Sequence, residues 1–120
     1  MKRVSYNTMS TQQLISRFAE IGIAQDHALL GNEIRRFNLL FGKMKSIVDE
    51  LRLRPGDERR ALALLYEHVN VQVRLQAARF SRDVMPVPAR KLIEEIAGSG
   101  QFPQAGDAGM TLSKMDGKLP

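Results

Sequence analysis

The chain has 120 residues, 43% hydrophobic and 26% charged, with nine glycines and five prolines. That balance fits one globular domain burying roughly two-thirds of its extended-chain surface, and it excludes collagen-like and wholly disordered chains. Cysteine is absent, which removes a disulfide scaffold, a thiolate metal site and a cysteine nucleophile together.

Eighteen Lys and Arg against thirteen Asp and Glu give a net charge of +5. The excess is spread along the chain. Lys2 and Arg3 lie at the N-terminus, residues 31–54 carry six basic against three acidic groups, and residues 70–85 carry three against one. No five like charges run together, so the balance permits mild attraction to nucleic acid or acidic partners without demanding either. The longest charge-free stretch, Val4 to Ser16, is too short and polar for a membrane span or a signal peptide. A cytoplasmic protein with no membrane attachment is expected.

Residues 1–9 have no periodicity and are expected to form a flexible extension, with residues 10–120 as a single helical domain. Ser10 followed by Gln13 reads as a capping box, with Met9 and Leu14 placed for a hydrophobic staple. The helix that follows sets Leu14, Phe18, Ile21, Ala28 and Leu29 near one face, while Ile23 and Leu30 suggest a second buried side. A second helix places Ile34, Phe37, Leu40, Phe41, Met44, Ile47, Val48 and Leu51 within about 140° of one another. Its polar face carries Arg35, Asn38, Lys43, Lys45, Ser46, Asp49 and Glu50, interrupted by Leu39 alone. Arg54-Pro55-Gly56 ends it, because proline cannot continue a helix and glycine tolerates positive φ.

Asp57 and Glu58 suit a first helical turn and precede a short apolar run to Tyr66. His68-Val69-Asn70 reads as a break, with Asn70 capping a helix that carries Val73, Ala77, Phe80, Ser81 and Val84 on one side. Met85-Pro86-Val87-Pro88 closes that helix and starts another, which uses Leu92, Ile93, Ile96 and Ala97 and stops at Gly98-Ser99-Gly100. Residues 101–120 read as a loop and a short docked helix capped by Asp107 and closed by Asp116-Gly117. No strand pattern occurs, so the expected architecture is all-α, with five or six short helices.

The stretch Leu62-Ala63-Leu64-Leu65, followed by Val73-Arg74-Leu75-Gln76-Ala77-Ala78, resembles one HEAT repeat. That family usually places an aspartate in the turn, where this chain has Glu67-His68-Val69-Asn70. A larger resemblance rests on Ala19 to Asp26, on Arg54 to Leu62 and on Pro103 to Leu112. Together these look like a small bacterial family filed as domain of unknown function 2019. The resemblance implies a compact HEAT- or ARM-like α-α superhelix, and it implies no reaction.

Catalysis has little to build on. His27 and His68 are far apart in sequence, and Glu94 and Glu95 point about 100° apart on a helix. Gly98-Ser99-Gly100 lacks the spacing of a nucleophile elbow, and no phosphate loop is present. Gly106-Asp107-Ala108-Gly109 offers a helix start to an anion, but Asp107 would repel it. The chain is therefore expected not to be an enzyme and to need no cofactor.

Two binding readings remain. Arg35, Arg36, Lys43 and Lys45 on the second helix, with Arg74, Arg79 and Arg82 further on, form basic faces that could follow a phosphate backbone. Asp49, Glu50 and Asp83 interrupt them, and the seven aromatics fall mostly at core spacing. The favoured reading is protein–protein recognition by an adaptor, regulator or immunity-type inhibitor that is a monomer or weak homo-oligomer. Its candidate contacts are Leu39, Tyr66, Gln72, Arg74 and the Gly106-to-Met110 loop, with Asp107 and Met110 in it.

Overall fold

The Gln13 amide donates to the Ser10 hydroxyl oxygen at 3.1 Å, and the Ser10 amide donates to the Gln13 side chain at 2.8 Å. This reciprocal cap starts α1, Thr11–Leu30, in a computed structural model that describes residues 5–118. α1 buries a single stripe of Leu14, Ile15, Phe18, Ile21, Gly22, Gln25 and Ala28. Of the expected second side, Leu30 is 75% exposed and Ile23 is half-buried.

Three residues, Gly31 to Glu33, separate α1 from α2, Ile34–Leu53. So short a link forces the two helices antiparallel. Asn32 makes the reversal in the left-handed region at φ 54°, which asparagine tolerates better than most residues. Leu14, Phe18, Met44, Ile47 and Leu51 are fully buried in this unit. Gln25 Nε2 donates to the Met44 sulfur at 3.7 Å.

The apolar face expected along the whole of α2 is only half covered. Met44, Ile47, Val48 and Leu51 are buried, whereas no residue from 34 to 43 is. Beside this half of α2, α1 presents the short Ala24 to Leu40, in a groove also lined by Tyr6 and Lys43. An alanine covers less than a larger side chain would, and the first three turns of α2 stay accessible.

α2 ends at Arg54, whose backbone is extended before Pro55 and a left-handed Gly56 at φ 79°. Of the stretch expected to be a flexible extension, residues 1–4 lie outside the described residues. Tyr6–Thr8 form a 3-10 turn, and Arg54 reaches it. The next segment, Glu58–Leu65, is also 3-10 and not the α-helix that a HEAT repeat would place there. A run this short between two turns gains few i→i+4 bonds, and 3-10 geometry is the usual outcome in such pieces. It still buries Leu62 and Leu65.

The chain groups into two compact units, Met1–Ala61 and Leu62–Pro120. In the second, Asn70 accepts the Gln72 and Val73 amides at 2.9 and 3.2 Å and so caps α3, Val71–Ser81. Proline sits in the first turn of α4, Pro86–Ala97, where its missing N–H costs nothing. α5, Gln104–Met115, begins three residues before the predicted cap, so Asp107 lies within its first turn. Gln104 and Ala105 extend the helix backwards because both are buried. Asp107 there complements the helix dipole. The core joins Leu75, Leu92, Ile93 and Ile96 with Ala78, Ala89 and Ala108, one alanine from each helix. These small side chains let the three helices approach closely.

Among the described residues every regular element is helical. None of the helices is long and apolar enough to cross a membrane.

Candidate interaction surface

The residues nominated by sequence separate into structural and accessible groups. Gln72 is fully buried and accepts from Gln104 Nε2 at 3.0 Å, so it is interior and no contact residue. Glutamine is usually a surface residue, and the partner amide on α5 helps to make its burial tolerable. Tyr66 hydrogen-bonds Ser81 through its hydroxyl, and burial pushes its phenol above the ordinary value of 10.0. Arg74 donates to the carbonyls of His68 and Val69 at 2.7 and 3.2 Å, closing the turn before α3. His68 joins the same turn by accepting the Asn70 amide at 3.0 Å.

The predicted Gly106-to-Met110 loop is helical, being part of α5. Met110 is exposed on it and Asp107 is half-buried. Arg82 is exposed, but Arg79 is half-buried. Burial pulls the Arg79 guanidinium below its ordinary value; nearby Asp107 opposes the shift and Arg82 adds to it. His27, Glu94 and Glu95 are exposed. Among the described residues no three His, Asp or Glu side chains group as a metal site would require.

The first half of α2 has a different character. Arg35, Arg36, Leu39, Lys43 and Lys45 are all exposed, and Leu39 is 69% so. Arg35 and Lys43 stand four residues to either side of Leu39, where helix geometry makes them its neighbours. Residues proposed for two separate readings thus share one surface. Arg36 approaches Glu33 at 3.7 Å with both side chains half exposed, a pairing worth little. Arg35, Lys43 and Lys45 make no ion pair with any other described residue.

Two features of this surface escaped the sequence reading. Ile34, which the helical periodicity places on the buried face, is 66% exposed. Gly42 stands in the exposed middle of α2, and a Cβ added there would meet nothing within 4 Å. A signal was available in the charge order, because residues 34–48 hold four basic side chains and no acidic one.

This all-α chain belongs to the family described as Domain of unknown function (DUF2019), whose profile matches residues 12–116. It is similar to a solved structure, the protein RPA1889 from Rhodopseudomonas palustris CGA009. The two are 51% identical over 98% of each chain, with a TM-score of 0.93. No curated protein matches.

Proposed function

We propose that this protein is a non-catalytic, cytoplasmic interaction module of HEAT-like type, acting as an adaptor, regulator or inhibitor through the first half of α2. One observation carries the reading: Leu39 stands 69% exposed between Arg35 and Lys43. An isolated exposed leucine means nothing by itself. Here it shares the first turns of α2 with a second exposed apolar residue, Ile34, and no other element fully covers the apolar residues of those turns. An apolar centre with a charged rim is the usual composition of a protein interface. A phosphate-binding face has no use for that centre, so protein is favoured over nucleic acid as the partner.

The test is affinity purification of the tagged chain from its host, with and without nuclease, in parallel with Leu39→Asp. A discrete protein that survives nuclease, and whose recovery falls about tenfold or more with Leu39→Asp, is expected. Material absorbing at 260 nm that disappears with nuclease and rising salt would replace this reading with nucleic-acid association.

A further inference from the structure

We propose that the groove between α1 and α2 binds a small aliphatic monocarboxylate, with its tail towards the Asn32 turn and its head group at Lys43 and Tyr6. This goes beyond the interaction reading and does not depend on it. The floor is Ile21, Ala24 and Leu40. Ile21 is buried, while Ala24 and Leu40 are half-buried, so apolar surface is left for an occupant to cover.

The groove has a direction. Both helices run away from Asn32, so Ala24 and Leu40, equally far from it along the chain, stand level. Lys43, Glu20 and Arg17 lie progressively further from the turn. From Arg17 to Ala24 the helix rises about 10 Å. Tyr6 enters from the far end, where its carbonyl accepts from Arg54 at 3.3 Å. The end nearer the turn is therefore apolar, and the other end is charged.

Charge selects the head group. Arg17 approaches Glu20 at 3.8 Å, which leaves Lys43 over. Three and four residues to either side of Lys43 stand Leu39, Leu40, Ser46 and Ile47, and Asp49 and Glu50 are about two turns further along, so no acid on α2 is its neighbour. Among the described residues neither the Lys43 ammonium nor the Tyr6 hydroxyl has a hydrogen-bond or ion-pair partner. Both can donate to a carboxylate. Glu20 in the same lining admits one negative charge more readily than two, which disfavours phosphate. The volume, about 210 Å³, is below the roughly 300–1,000 Å³ of clefts that hold larger ligands, and it suits a short chain.

The experiment titrates the purified full chain with sodium hexanoate at constant ionic strength and follows the backbone amides by NMR. Saturating shifts are expected at Ile21, Ala24, Leu40 and Lys43, with the amides of α3 to α5 unmoved. Acetate has the head group without the tail, and hexanol the tail without the charge. Each should bind about threefold or more weakly than hexanoate. Lys43→Gln should weaken hexanoate by about the same threefold factor and leave hexanol unchanged. Ala24→Leu fills the floor with a good helix former and should abolish saturation by both.

The absence of saturating shifts with hexanoate overturns the proposal, and so do shifts centred on α3 to α5. Hexanol or acetate binding as tightly as hexanoate overturns it, as does a Lys43→Gln chain that binds hexanoate as before. Saturation that persists in a folded Ala24→Leu chain places the ligand elsewhere and overturns it equally.

Discussion

The Arg54 guanidinium donates to the Met9 carbonyl at 2.5 Å and to the Tyr6 carbonyl at 3.3 Å. The same side chain donates to Thr11 Oγ1 at 3.3 Å and pairs with Glu50 at 2.9 Å. Thr11 in turn hydrogen-bonds Glu58. One arginine at the end of α2 thereby satisfies carbonyls just ahead of α1 and ties the first described turn to the rest of its unit. The fork of a guanidinium can serve these acceptors together, and an ammonium cannot.

Arg54→Lys should therefore destabilise the fold by about 1–3 kcal/mol, with the loss read from urea unfolding. Amide exchange at residues 6–9 should accelerate more than exchange in α3 or α4. Equal acceleration everywhere would mean that Arg54 contributes only to global stability and does not hold the N-terminal turn.

Asp57 gives a pH dependence with a defined sign. Arg59 donates to both of its carboxylate oxygens, at 2.9 and 2.6 Å. Chiefly through these bonds it holds the Asp57 carboxyl at about 2, below the usual 3.8. A carboxylate depressed in the folded state adds stability above its unfolded value, and that stability is lost as pH falls towards the folded one. The window lies between about pH 4 and pH 2. Asp57→Asn keeps a side chain suited to the left-handed backbone there, φ 53°, and removes the charge together with one of the two acceptors that Arg59 uses. Melting temperatures across that window should fall less steeply for Asp57→Asn than for the natural chain. Parallel curves would assign the acid sensitivity to other carboxylates.

Tyr66 separates a structural residue from a contact residue. Its hydroxyl bonds Ser81, whose own hydroxyl donates to the Ala77 carbonyl at 2.7 Å in the interior of the second unit. Tyr66→Phe should cost about 1 kcal/mol of stability and leave partner recovery unchanged. The chain has two tyrosines, so Tyr6→Phe isolates the Tyr66 phenolate absorbance at alkaline pH. Burial raises its value above 10.0, and the absorbance should develop above that pH. A midpoint at or below it would place the phenol in water.

Local signals explain why so much of the fold was legible. Ser10 and Gln13 cap α1 as their spacing requires, Asn70 caps α3, and Asp116 with Gly117 ends α5. Each involves side chains within a few residues of one another, where chain geometry alone decides. Gln72 reads locally as a surface residue, and its bond to Gln104, 32 positions away, lies beyond the reach of local signals. The 3-10 form of residues 58–65 was missed because an apolar run states that a segment is buried and not which helix it adopts. Ile34 shows the same limit at the surface. Periodicity marks an apolar face, and whether this chain or another molecule covers it depends on the tertiary structure.

The surface itself yields the last prediction. Gly42 stands in the exposed middle of α2 where no contact requires it, so the isolated protein should be more stable without it. Alanine is the better helix former by about 1 kcal/mol, and a Cβ at position 42 meets nothing within 4 Å. The Ser46 hydroxyl donates to the Gly42 carbonyl at 3.1 Å, a bond that a methyl group on Cα does not touch. Gly42→Ala should therefore raise the urea midpoint of the isolated chain. A lowered midpoint would mean that glycine is needed by the fold.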